Sequence, residues 1–400
     1  MPSMEYWVWL SSAPEVSFRS KASIIAQYGD AEAAYYAPLG AYSRVEGVSP
    51  KDAALLEKRD LSGVDRILTQ CEQQGITLIP FMDTRYPRRL KSIYSPPPLL
   101  YVRGELPRVD RLAAIAVVGT RKASPYGCRM SRKLAYEITK CGGLVVSGLT
   151  RGIDAAAAQA ALDAGGSCIG VLGVPHELEK SELAQKVLEH GALITEYPPG
   201  TQPYRSFFRE RNRITSGLSV GVVAVEAPEE SGTHLFVAEA AEQGREIFAV
   251  PGNADSQNSV GTNRIIQEGA KPVTCGWDVM CEFELRYPAK KRSCTVPPPK
   301  GEAPARQRRS TQAPAAPRQK SVDKEENTGY IDLRELAGTL PPDQQKILGA
   351  IRAPSVSADE IAEATGLAVS RVLAQLTVLE IKGLVRSLPG RCVALNIQKK

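Results

Sequence analysis

Histidine is nearly absent from this 400-residue chain, which holds only His176, His190 and His234. A His-rich metal centre or a His-based catalytic triad therefore has almost nothing to be built from, and no metal site is expected. The eight cysteines are scattered, with no CxxC pair and no Cys/His cluster at zinc spacing, and they read as reduced, mostly packed cytosolic thiols. Long apolar runs are missing as well. The longest, Leu112 to Val118, has seven residues, against the roughly 18 that suggest a membrane span. Met1 to Ser12 contains the apolar patch Trp7 to Leu10 but carries Glu5 and no basic leader, so a soluble, cytoplasmic protein with no membrane partner is expected. Neither GxGxxG nor GxxxxGK[ST] occurs. A standard NAD enzyme or NTPase is disfavoured, and no cofactor is expected.

What is present suits a folded protein of two or three domains, at about 150 residues each. Hydrophobic residues make up 43% and charged residues 24%, ordinary values for a globular chain. The net charge of +6 is unevenly placed. Between Ala289 and Lys320 nine basic residues stand against Glu302, so that stretch carries +8 and the rest of the chain −2. The same stretch has six prolines and few large apolar residues, the composition of a linker that cannot bury a core. It reads as a soluble tether, or as a weak, sequence-independent contact to nucleic acid.

The patterns on either side divide the chain into four segments. Residues 1–105 read as a small helical (SAM-like) domain and a Pro-rich connection: Ser49-Pro50-Lys51-Asp52 has the form of a helix start, and Leu55, Leu56, Leu61, Val64, Ile67 and Leu68 supply apolar stripes. Over 106–288, short apolar runs (113–118, 144–147, 168–172, 192–195, 220–225 and 247–250) alternate with Gly-containing turns and helical stretches. That alternation predicts an α/β fold with a doubly wound, Rossmann-like parallel sheet. The basic Pro-rich linker is assigned to 289–338. Residues 339–400 fit a winged-helix domain, with a capping box at Ser357 and Glu360, a third helix from about Ala368 to Lys382, and a terminal hairpin around Leu388-Pro389-Gly390.

In such a sheet, ligands bind beyond the carboxyl ends of the strands. The first strand leads into Gly119-Thr120-Arg121-Lys122-Ala123-Ser124, and the second into Ser147-Gly148-Leu149-Thr150-Arg151-Gly152-Ile153-Asp154. Glycines let backbone approach a ligand, helix N-termini present free N–H groups, and Arg121, Lys122 and Arg151 add charge, so phosphate is the natural ligand. Ser231-Gly232-Thr233 offers another candidate anion-binding helix start. Phe207-Phe208-Arg209-Glu210-Arg211-Asn212-Arg213 sets two aromatics beside arginines and an Asn, a combination that holds single strands by stacking bases and neutralising phosphates. The competing reading is an amphipathic helix with core Phe residues and arginines bridging Glu196 or Glu226. Those two carboxylates are also the candidates for acid/base chemistry. Asp154, at the entry to an Ala-rich helix, reads as an N-cap.

The ordered motifs Val118-Gly119-Thr120-Arg121, Ser147 to Asp154, Thr195-Glu196-Tyr197-Pro198, Phe208 with Arg211-Asn212-Arg213, Ser231-Gly232 and Gly244 to Gly252 resemble the DNA-processing protein DprA (Smf) family. The resemblance continues through Gly261-Thr262-Asn263 and Gly269-Ala270, with Tyr86-Pro87 upstream, and covers roughly residues 80 to 280. It departs from the family where Ala158 replaces His, Arg209 replaces Pro and Phe236 replaces Thr, and where the stretch after Gly173 is short. The resemblance implies a cytoplasmic, non-catalytic homodimer that binds single-stranded DNA, protects it and helps load a RecA-type recombinase in natural transformation. Arg121 and Arg151 would lie near the phosphate-binding loops, Phe208 would contact a base, and Arg211 and Arg213 would line the strand's path.

Two other classes compete. A phosphoribohydrolase-type nucleotide enzyme would use Glu196 or Glu226, but its PGGxGTxxE signature is absent. A transcription factor would read DNA through the winged helix, whose third helix offers only Arg371 and Lys382, offset by Glu380, a meagre set for the major groove.

Overall fold

A computed structural model of the chain describes residues 4–13, 15–287, 341–351, 356–381, 384–388 and 392–395. The linker expected over 289–338 lies outside the described residues. The chain divides into two compact units, Met1–Pro304 and Ala305–Lys400.

In the first unit the apolar runs form the strands β3 (Ala114–Val118), β4 (Leu144–Ser147), β5 (Cys168–Val171), β6 (Ala192–Thr195) and β7 (Gly221–Ala224), and every residue of these is buried. Strands covered on both faces must be apolar throughout, which is why they stood out as runs and not as alternations. With β8 (Glu246–Ala249) and the short β9 (Lys271–Pro272) they pair in parallel. Two further strands, β1 (Thr77–Pro80) and β2 (Leu99–Gly104), add antiparallel at one edge, giving the order β1-β2-β6-β5-β4-β3-β7-β8-β9. These two correct the expected Pro-rich connection: the segment after Pro98 is a sheet strand, with Tyr101 opposite Thr195. Chain order reverses between β3 and β7, so the loops leaving these strands diverge and open a crevice.

Helices cover both faces. Ile115, Val117, Val145 and Val223 pack with α7 (Pro125–Lys140), α8 (Ile153–Asp163) and α9 (Glu182–His190), while Ala114, Val146, Ile169, Val171 and Ile194 pack with α6 (Arg88–Lys91) and α11 (Asn212–Leu218). Against the β2 edge lies a helical layer of α1 (Met4–Ser12), α2 (Phe18–Tyr28), α3 (Ala31–Tyr35), α4 (Pro50–Leu56) and α5 (Val64–Gln73), with a core of Trp7, Leu10, Ile24, Tyr42 and Leu56. Ser49 caps α4 as its sequence foretold, its Oγ accepting from the Asp52 amide at 3.1 Å with Pro50 in the first turn.

The second unit is a winged helix. Helices α13 (Pro342–Ala350), α14 (Ala358–Thr365) and α15 (Val369–Ile381) accompany a three-stranded sheet ordered β10 (Val356–Ser357), β12 (Cys392–Leu395), β11 (Val385–Leu388). The capping box forms: the Ser357 amide donates to Glu360 Oε2 at 2.9 Å and the Glu360 amide to Ser357 Oγ at 3.2 Å. Arg371 is engaged by Asp343 at 2.7 Å, and Lys382 lies outside the described residues.

Candidate nucleic-acid interface

The crevice beyond β3, β4 and β7 is a cleft of about 530 Å³. Its first wall is the loop 119–124. Glu226, 1% exposed, holds this loop by accepting from the Ser124 amide at 2.8 Å and from Ser124 Oγ, while the Thr120 amide donates to the Glu226 carbonyl at 2.9 Å. The Glu226 carboxylate is thus a bracket for the loop that presents Arg121 and Lys122, and not a free acid.

The second wall is the turn after β4. Ser147 Oγ, fully buried, donates to the Asp154 carbonyl at 3.1 Å and accepts from the Leu149 amide at 3.1 Å. Leu149 adopts φ 52°, a left-handed conformation rare outside glycine, and Gly152 lies at φ 91°. A Cβ on Gly152 would fall 2.4 Å from the Thr120 carbonyl oxygen, so only glycine lets the two walls meet. Asp154 is not the expected N-cap. That position is Gly152, and the Asp154 carboxylate instead accepts from Thr150 Oγ1 at 2.9 Å, in the first turn of α8. Burial raises its pKa, opposed by nearby Arg211 and the Thr150 hydrogen bond.

The third wall is the pair α10 (Arg205–Glu210) and α11, which meet at Arg211. Arg205, Phe208, Arg209 and Asn212 all line the cleft, and their spacing of i, i+3, i+4 and i+7 puts them on one helical face. Phe208 is 36% exposed, and the Arg121 guanidinium lies 5.6 Å from its ring centroid, within cation–π range. A Cβ on Gly173 would sit 3.1 Å from Phe208 Cα, so the short stretch after β5 lets α10 come close. Arg211 is 4% exposed and donates through Nη1 to the Val171 carbonyl at 2.8 Å, beside Gly148, where a Cβ would reach 2.0 Å from that nitrogen. Burial lowers the Arg211 pKa, opposed by Asp154. The fourth wall is the start of α12 (Gly232–Glu242), capped by Ser231, whose Oγ accepts from the Thr233 amide at 3.2 Å.

Gly119, Arg121, Lys122, Gly148, Phe208, Arg211, Asn212, Ser231 and Gly232 therefore come together as the sequence suggested. Ser147, Arg151 and Arg213 do not. Ser147 braces the backbone behind the cleft, and Arg151 is exposed on the turn outside its lining. Arg213 turns inward: its Nη2 lies 2.5 Å from Glu196 Oε2, its side chain is 9% exposed and that of Glu196 2%, and its guanidinium lies 4.7 Å from the Phe18 ring of α2. Burial raises the Glu196 pKa against the pull of Arg213. Here the bridging arginine, the bland alternative, is the one observed. Sequence reasoning missed Arg205, Thr150 and Thr215 as lining residues; the heptad-like spacing from Arg205 to Asn212 was the available signal for the first.

Fold and cleft together define a doubly wound α/β protein with a cationic, aromatic-edged cleft at its switch point, joined to a winged helix. Comparison with known proteins narrows the class. The family model DNA recombination-mediator protein A matches residues 77–284, and the DprA winged helix domain matches 334–391. DNA processing protein DprA of Bacillus subtilis is 40% identical over 225 residues, covering 55% of this chain and 76% of the relative. Protein Smf of Escherichia coli is 33% identical over 341 residues, covering 83% and 81%. The crystal structure of DNA processing protein A from Streptococcus pneumoniae superposes with a TM-score of 0.61 at 31% identity, covering 71% of this chain and 99% of that one. The chain belongs to the DprA/Smf family of DNA recombination mediators.

Proposed function

We propose that this protein binds single-stranded DNA without reading its sequence, shields it, and passes it to a RecA-type recombinase in natural transformation, as a cytoplasmic homodimer that catalyses no reaction. The observation that carries the reading is Phe208, an exposed ring at the cleft's lip with Arg121 over it and Arg205, Arg209 and Asn212 on the same helical face. Cations alone hold any polyanion, whereas a ring rewards only a base freed from its pair. The recombination role and the recombinase partner draw their support from the family. The non-catalytic reading is supported by Glu226 and Glu196, both engaged in holding the fold. Release of free base from a nucleoside monophosphate, abolished in Glu226→Gln, would instead favour a phosphoribohydrolase-type enzyme.

The test is binding of single and double strands across a range of salt. Log affinity for a single strand should fall against log salt by about 0.7 for each phosphate neutralised. Phe208→Ala should weaken single-strand binding roughly 5- to 150-fold, the equivalent of one lost stacking contact, with little change in salt slope or melting temperature. A flat salt dependence, or a variant that melts early yet binds normally when cold, would overturn the reading.

A further inference from the structure

Tyr204 stands immediately before α10, outside the cleft's lining and 63% exposed. An exposed tyrosine is ordinary; one braced from behind is less so. Its ring meets Phe207 edge-on, with centroids 5.3 Å apart at 74°, and Phe207 stacks on Tyr197 at 4.0 Å and 15°. Tyr197 is 4% exposed, and its hydroxyl donates to Glu210 Oε2 at 3.3 Å. The Tyr204 carbonyl also accepts from the Phe207 amide at 3.1 Å. A ring held this way loses little conformational freedom when a ligand covers it.

Three cations line the cleft beside it. Arg205 is the next residue and lines the cleft, Arg209 lies one turn further along α10, and Arg121 stands over Phe208. Adjacent side chains consecutive in sequence thus offer first a guanidinium inside the cleft and then an aromatic face outside it. A single strand presents the same alternation of phosphate and planar base. We propose that Tyr204 is a second base-stacking station, taking the unpaired base that follows the phosphate held by Arg205 as the strand leaves the cleft. This deepens the single-strand reading and rests on it. The two consecutive aromatics then divide their roles: Phe207 is the brace, and Phe208 and Tyr204, four residues apart, are the contact rings.

The experiment measures fluorescence anisotropy with dT oligomers, from the shortest that binds up to about 15 nucleotides, near the upper end of the site sizes of single-strand-binding modules. Wild type, Tyr204→Ala and Tyr204→Trp are compared at fixed salt. Tyr204→Ala should lower the ratio of long- to short-oligomer affinity roughly 5- to 150-fold. Tyr204→Trp should restore it, and neither should shift the melting temperature, since the ring is exposed. Unchanged affinity at every length, or an equal loss at every length, would overturn the proposal while leaving single-strand binding intact. Failure of wild type to bind any oligomer would overturn the underlying reading, and this station with it.

Discussion

Arg211 and Arg213 are two residues apart and face opposite environments, because two steps of a helix turn the side chain by about 200°. Arg211 borders the cleft beside Gly148, whereas Arg213 neutralises Glu196 against Phe18. Sequence alone sees two arginines beside a pair of phenylalanines and assigns them one role. Both are buried, and their partners distinguish them: Arg211 donates to the Val171 carbonyl at the cleft's lining, Arg213 to Glu196. Replacing Arg213 with alanine would leave the Glu196 carboxylate buried without its partner, a loss of about 3 to 5 kcal/mol. The expected outcome is a steep fall in melting temperature with an unchanged salt slope for the folded fraction, while Arg211→Ala, which leaves the Val171 carbonyl without its donor, should lower the melting temperature and also reduce the slope by about 0.7. Salt titrations of both variants below their melting transitions check this. A reduced slope in Arg213→Ala would restore that residue to the strand's path.

At the scale of elements, the interior strands were legible because doubly covered strands are uninterrupted apolar runs, and α4 and α14 because Ser49 and Ser357 cap them. Strand β2 was not. Pro96-Pro97-Pro98 precedes it and reads as loop, and its alternation is hidden because both faces are apolar: Leu99 and Tyr101 enter the helical core, Leu100 and Val102 the core of the sheet. His176, just beyond β5, latches onto this strand by donating from Nε2 to the Tyr101 carbonyl at 2.9 Å. Burial pushes its ring from 6.5 down to about 4, with the Tyr101 hydrogen bond opposing. Between those values the unfolded chain holds the extra proton and the folded chain does not, so stability present above about 6.5 is lost as pH falls through about 4. The whole shift is worth about 3 kcal/mol. Melting curves from pH 7 to 4 should show this component in wild type and not in His176→Gln, which keeps a donor without a titrating ring. Carboxylates contribute equally to both proteins, so the difference isolates the latch, and identical pH profiles would refute it.

For the molecule as a whole, the sequence separated a helical N-terminus, a parallel sheet, a linker and a winged helix, and the contacts within the first unit tie the first two together. The helical layer shares its core with the sheet: Leu99 and Tyr101 of β2 are part of it, and Phe18 and Lys21 of α2 reach the buried Glu196–Arg213 pair. Periodicity within a segment cannot report that kind of sharing, because it depends on which edge of the sheet the layer covers. Two deletions test it together. Removing residues 1–76 would strip Leu99 and Tyr101 of their cover, at about 1.5 to 3 kcal/mol for each fully buried large side chain, a sum comparable with the lower end of a domain's whole stability of about 5 to 15 kcal/mol. That protein should lose its cooperative melting transition and its single-strand affinity together. Removing residues 288–400 keeps Tyr287, whose hydroxyl accepts from Arg89 Nη2 at 2.9 Å, and takes only chain beyond the sheet's described contacts. This second protein should melt near the wild-type temperature and keep most of its single-strand affinity, giving up only the phosphate contacts of the basic stretch from Ala289 to Lys320. Calorimetry and salt titration of both decide the matter: near-complete loss of binding at physiological salt in the second would move the binding site out of the cleft to the tail and winged helix, and a normal transition in the first would show the helical layer to be dispensable.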